Sequence, residues 1–259
     1  MNRELQLDSG NREGWAITVA ADPQAMSEFV ADLVASQITA NPRTVLSLPT
    51  GSTPLPLFDV LAASAARGEL DFSKVTFFSL DDYLGLSPSD PNSLSGWLER
   101  AFLSQVNLQS ANVHLIPAQD PSPDVAAIAY DGEIGRQGGF DLIVLGMGEN
   151  GHIAFNEPGS DATTRTRVVD LTPETREQAA AYWDDRFSMP TQAMTIGMAT
   201  ILEAHQIVLL VSGLSKAPTL RDAMTGEISS HNPASLLRLA GPRLLVVADA
   251  AAASAMTST

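Results

Sequence analysis

The chain has 259 residues, 44% of them apolar, which is enough to bury a sizeable core; one α/β domain over 1–259 fits this length better than two small ones. A net charge of −15 without any basic stripe excludes nucleic acid as a partner, and the absence of a long apolar run excludes a membrane span. There is no cysteine, hence no disulfide or thiolate chemistry, and Met1 to Gly10 lacks the apolar core of a signal peptide; both features suit a cytoplasmic enzyme.

In chain order, the pattern predicts a strand over Trp15 to Ala21. A helix follows from Pro23 to Ile38, with Met26, Phe29, Val30, Leu33 and Val34 on one face. A short apolar strand, Thr44 to Leu48, leads through Pro49-Thr50-Gly51-Ser52-Thr53-Pro54 into a helix reaching Arg67, with Pro54 suited to its first turn. Val75 to Leu80 is the next strand and ends at Asp81-Asp82-Tyr83; a helix follows from Ser93 to Val106. A strand over Val113 to Ile116 and a helix over Pro123 to Arg136 precede the apolar run from Asp141 to Gly146, which reads as a central strand buried on both faces. Beyond it come a strand (Arg167 to Leu171), a helix (Pro173 to Trp183) and a strand (Ile207 to Val211). Two helices (Lys216 to Met224 and Pro233 to Leu239) and a last strand (Arg243 to Ala248) complete the pattern. Strands separated by helices imply right-handed crossovers. The expected fold is therefore a single doubly wound, mostly parallel sheet with helices on both faces, Rossmann-like in outline.

The chemistry concentrates in four turns that leave such strands. In open α/β sheets, ligands bind beyond the carboxyl ends of the strands. After the central strand comes Gly146-Met147-Gly148-Glu149-Asn150-Gly151-His152, followed by Glu157. His152 can shuttle protons near neutral pH and Glu157 can orient its imidazole; the alternative is a histidine that only caps a turn. Thr50, Gly51, Ser52 and Thr53 lie between a strand and a helix start, where N–H groups and hydroxyls can hold an anion, phosphate above all; Ser52 or Thr53 could equally cap the helix.

Lys216, one of two lysines in the chain, occupies an analogous turn, Ser212-Gly213-Leu214-Ser215-Lys216, and could reach a phosphate. The stretches from Val45 to Leu57 and from Val208 to Leu220 share this strand–turn–helix plan. Asp81 and Asp82 end a strand on the same side, where one carboxylate can act as a base tuned by its neighbour and by burial; Asp82 could instead cap a helix. No histidine or carboxylate spacing matches a metal site, and no cofactor motif is present.

Several of these stretches together resemble the glucosamine-6-phosphate deaminase/isomerase family, within the superfamily that also holds 6-phosphogluconolactonase and ribose-5-phosphate isomerase. They are Leu48-Pro-Thr-Gly-Ser-Thr-Pro54, Leu80-Asp-Asp-Tyr-Leu-Gly-Leu86, Leu145-Gly-Met-Gly-Glu-Asn-Gly-His-Ile-Ala-Phe-Asn-Glu-Pro-Gly159 and Ser212-Gly-Leu-Ser-Lys216. The lactonases share the glycine turn and its histidine but lack the Phe-Asn-Glu-Pro that follows here.

The resemblance implies a ribose-5-phosphate isomerase/CoA transferase-like fold. It also implies a reaction without cofactor: an amino sugar 6-phosphate is opened, isomerised from aldose to ketose, and loses ammonia to give fructose 6-phosphate. It casts His152 as the group that opens the ring, oriented by Glu157 and Asn150, and Asp81 as the base that moves a proton between C2 and C1. Thr50, Gly51, Ser52, Thr53 and Lys216 become phosphate ligands, with Gly148 and Asp82 as further substrate contacts. The partner is a small sugar phosphate, and the resemblance leaves monomer and homo-oligomer both open. Galactosamine 6-phosphate as substrate, lactonase activity and a non-catalytic sugar-phosphate sensor are the alternatives. The chain departs from the family pattern at Ala181, where a second phosphate-binding arginine is usual. It departs again at Val169, where activated members carry a lysine two residues after an arginine, here Arg167; hyperbolic kinetics are therefore expected.

Overall fold

The computed structural model describes residues 13–180 and 189–256. Its strands are β1 (Ala16–Ala20), β2 (Val45–Ser47), β3 (Thr76–Phe78), β4 (Asp81–Tyr83), β5 (Val113–His114), β6 (Leu142–Leu145), β7 (Arg167–Asp170), β8 (Gln192–Thr195), β9 (Ile207–Val211) and β10 (Leu244–Asp249). Its helices are α1 (Pro23–Ala40), α2 (Leu55–Ala66), α3 (Leu94–Ala101), α4 (Pro123–Arg136), α5 (Pro173–Ala180), α6 (Met198–Leu202), α7 (Ala217–Thr225) and α8 (Pro233–Leu236). The remainder of the helix expected to reach Trp183 lies outside the described residues.

Seven strands form one sheet in the order β1-β10-β9-β6-β2-β3-β5, with every neighbouring pair parallel. The central strands are continuous apolar runs because both faces are covered, and alternate side chains enter two different cores. On β6 and β9, Ile143, Leu145, Ile207, Leu209 and Val211 point to one core, where α4, α6, α7 and α8 contribute Ile134, Ile201, Leu220 and Ala234. Leu142, Val144, Val208 and Leu210 point to the other, where α1, α2 and α3 contribute Val30, Val34, Phe58, Leu61 and Leu98. Each such fully buried aliphatic side chain stabilises the fold by about 1.5–3 kcal/mol.

The helices begin where their residues dictate. The Asp22 carboxylate accepts the Ala25 N–H at 2.8 Å, and Pro23, which has no N–H to leave unpaired, opens α1. Pro123 opens α4 in the same way.

Strand–helix alternation does not account for β4, β8 and β7, which form a second, three-stranded antiparallel sheet. The predicted strand at Arg167 belongs to this sheet. The loops that leave β2, β3, β6 and β9 all emerge at the carboxyl edge of the large sheet, from four strands that lie side by side. The small sheet faces that edge, since β4 follows β3 after only two residues. Among the described residues, no helix is long and apolar enough to cross a membrane.

Candidate active site

A cavity of about 770 Å³ opens at this edge, and its wall includes Thr50 to Thr53, Asp81, Gly148, His152 and Lys216. Segments about 30 to 70 residues apart are thus brought to one place by the parallel sheet, while Asn150, Glu157 and Asp82 stand outside the wall.

Gly51 has a φ of +103°, so the loop after β2 takes a path that L side chains avoid. Helix α2 has no side-chain cap. Among the described residues the hydroxyls of Thr50, Ser52 and Thr53 have no hydrogen-bond partner, so they are not used as helix caps and remain available to a ligand. Lys216 has no carboxylate within 4.0 Å among the described residues. Burial lowers its pKa, and Glu149 opposes that shift. Its turn is fixed from behind by Asp249, whose buried carboxylate accepts the Ser212 hydroxyl at 2.6 Å and the Gly213 N–H at 3.0 Å.

The glycine turn orders the histidine. The His152 N–H donates to Asn150 Oδ1 at 3.1 Å, and the ring Nδ1 lies 2.7 Å from the same oxygen. Asn150 Nδ2 donates to Glu157 Oε2 at 3.1 Å, which fixes the amide's orientation and makes Nδ1–H the donor in the neutral ring. Nε2 is therefore the nitrogen left for a substrate. Burial lowers the His152 pKa; Glu157, whose Oε2 is 3.9 Å from Nδ1, raises it, and Lys216 lowers it further. The imidazole is thus neutral at pH 7 and able to take or give a proton. Gly148 leaves no room for a side chain: a Cβ there would come within 2.2–2.5 Å of the imidazole atoms. Between His152 and Glu157 the chain turns through Ala154, whose φ of 51° is strained for a residue with a Cβ.

Asp81 and Asp82 are both buried. The Asp82 carboxylate accepts the Ser93 hydroxyl (2.7 Å) and the N–H groups of Tyr83 (2.8 Å), Leu94 (2.9 Å) and Ser95 (3.0 Å). It thus caps α3, the alternative reading of this residue, by accepting helix N–H groups that have no partner within the helix. Asp81 has no side-chain partner among the described residues, and burial, then the charge of Asp82, pushes its carboxyl up to about 8.

Sequence reasoning missed Tyr83, Trp97, Phe155 and Thr175, which also line the cavity. Tyr83 and Phe155 carried a signal, through their places in the Leu80 to Leu86 and Phe-Asn-Glu-Pro stretches; Trp97 and Thr175 carried none. Ala181, the position of the missing arginine, lies outside the described residues.

Residues 20–246 match the family described as glucosamine-6-phosphate isomerases/6-phosphogluconolactonase. The chain is 39% identical over 238 residues to the glucosamine-6-phosphate deaminase of Halothermothrix orenii, an alignment covering 92% of this chain and 98% of that one. It is likewise 39% identical over 236 residues to that of Shewanella loihica, covering 91% and 88%. A solved structure described as a monomeric glucosamine-6-phosphate deaminase superposes with a TM-score of 0.89 at 34% identity, covering 92% of this chain and 99% of that one. The 6-phosphogluconolactonase of Trypanosoma cruzi shares the fold, with a TM-score of 0.76 at 19% identity over 93% and 97% of the two chains.

Proposed function

Because the chain belongs to the glucosamine-6-phosphate isomerase/6-phosphogluconolactonase family, we propose that it is a glucosamine-6-phosphate deaminase, converting the sugar phosphate and water to fructose 6-phosphate and ammonia. The phosphate sits against the Thr50 to Thr53 hydroxyls and N–H groups, with Lys216 supplying the charge. Holding the phosphate far from the reacting carbons orients the sugar.

His152 Nε2 takes the proton of the anomeric hydroxyl and returns it to the ring oxygen as the C1–O5 bond breaks. Asn150 and Glu157 hold the ring tautomer and stabilise the imidazolium that forms in passing. Asp81 in its ionised form then removes the C2 proton and delivers it to C1 while a proton passes from the amine to O1, which turns the aldehyde into a hydroxymethyl group and leaves an imine at C2. Water adds at C2 and ammonia leaves. The observation that carries this reading is the buried carboxyl of Asp81, without a side-chain partner among the described residues, in the same cavity wall as the ordered imidazole. A carbon acid needs such a base, whereas lactone hydrolysis does not.

The test is to offer the purified protein glucosamine 6-phosphate, galactosamine 6-phosphate and 6-phosphogluconolactone and to measure ammonia, ketose phosphate and lactone loss. Equal release of ammonia and fructose 6-phosphate from the gluco substrate supports the reading. Lactone hydrolysis with no ammonia from either amino sugar would overturn it.

A further inference from the structure

The small sheet does more than present Asp81. In its register Asp81 pairs with Thr195 and Thr195 pairs with Arg167, so one row across β4, β8 and β7 carries all three side chains on one face. The other two members of that row both reach the turn that follows His152. Thr195, wholly buried, accepts the Phe155 N–H on its hydroxyl at 3.1 Å and donates to Ile196 O at 3.3 Å. Arg167 donates from Nη1 to Asn156 Oδ1 at 2.9 Å and from Nη2 to Ser160 Oγ at 3.1 Å. Asn156, also wholly buried, donates in turn to Ile153 O at 3.0 Å and Ile196 O at 2.8 Å.

Two features of this arrangement need a reason. Arg167 is partly buried and, among the described residues, has no carboxylate within 4.0 Å, so its guanidinium serves only neutral acceptors, Asn156 on the turn, Ser160 beyond it and the Arg165 carbonyl, at a desolvation cost. The turn is itself strained at Ala154, and strain of about 1–3 kcal/mol persists only where the surroundings over-determine the conformation. The row supplies that constraint.

We propose that Thr195 and Arg167 are positioning residues for the reaction. They clamp the His152 to Glu157 turn to the strand that carries Asp81, so that one row of the small sheet sets the spacing between the proton-transferring carboxylate and the imidazole–amide–carboxylate relay. This rests on the roles given above to Asp81, His152 and Glu157.

The test uses Thr195→Val, which keeps the shape and removes the hydroxyl, and Arg167→Met at the sheet's far edge, with Thr195→Ser and Arg167→Lys as conservative controls. With glucosamine 6-phosphate, Val and Met lower kcat by about 10- to 100-fold and change KM by less than about threefold, because the phosphate contacts are separate. Ser and Lys regain much of the loss.

Independently of any substrate, the His152 imidazole is titrated by NMR, its resonance assigned by loss in His152→Gln. Asn150, Glu157 and Lys216 are the groups disposed around it. In both Val and Met variants its pKa falls by about half a unit or more, as the Glu157 carboxylate that raises it drifts away. Folded variants with an unmoved imidazole titration overturn the inference, whatever their melting temperature or kcat. A parent protein inactive on the amino sugar phosphates overturns the proposed function instead, and the titration still decides the clamp.

Discussion

Asp81 and Asp82 are adjacent buried carboxylates of which, among the described residues, only one has donors around it: Asp82 accepts one hydrogen bond from Tyr83 and three at the start of α3, while Asp81 meets the cavity and its neighbour's charge. Burial, then the charge of Asp82, pushes the Asp81 carboxyl up to about 8, so the ionised form that serves as the base is a minority at pH 7 and grows as pH rises. In the unfolded chain the same carboxyl loses its proton near its ordinary value of 3.8. Between these limits the folded state binds a proton that the unfolded state has released, so stability falls as pH rises through that window. Asp81→Asn abolishes the effect. Its melting temperature is expected to exceed the parent's at pH 8 by more than at pH 5, the gap widening by at least about 2–4 °C, the shift that 1 kcal/mol produces in a domain of this size class. A gap that does not change with pH would show that Asp81 ionises normally.

Loss of the Asp82 carboxylate acts on the fold. Asp82→Ala leaves the Ser93 hydroxyl and three N–H groups without their acceptor and is expected to cost about 2–4 kcal/mol. Urea denaturation measures it; a cost below about 0.5 kcal/mol would mean the cap is dispensable.

Gly148→Ala is expected to lower kcat by about 100-fold or more while leaving the circular dichroism spectrum and melting temperature close to the parent's. The added methyl must push the imidazole off its Asn150 contact, and a displacement of about 1 Å in a catalytic group has effects of that size. Retained activity would show that the ring has another productive position.

Lys216→Ala removes the cation at the phosphate end. KM for glucosamine 6-phosphate is expected to rise by about 10- to 100-fold, the worth of a charge-assisted contact, with a smaller change in kcat. By the same reasoning, free glucosamine is a poor substrate for the parent. Equal efficiency on the two sugars in steady-state assays would remove the phosphate from the account.

Much of this site was legible in the sequence because its pieces follow long apolar strands. The run ending at Gly146 announced a central strand, and a glycine turn with a histidine after such a strand points to the carboxyl edge where β2, β3, β6 and β9 do converge. The small sheet was not legible. Asp81 to Tyr83 is three residues long with two carboxylates, and Gln192 to Thr195 shows little apolar alternation, so neither has a periodic signal of its own. Their strand character comes from pairing across more than 100 residues of chain. For the same reason the different surroundings of Asp81 and Asp82 were not readable: they depend on which neighbour faces α3. The Thr195 and Arg167 contacts with the turn are likewise tertiary, between segments about 11 to 40 residues apart.

The account stands most directly on the carboxylate of Asp81 as the base that moves the C2 proton to C1. The measurement is the initial rate of ammonia release from glucosamine 6-phosphate by the parent and by Asp81→Asn, with substrate affinity determined for both by calorimetry. The expected result is a fall in kcat of about 10² to 10⁴, the usual worth of a positioned general base, with affinity within about tenfold of the parent. An Asp81→Asn variant that releases ammonia at near the parent's rate would contradict it.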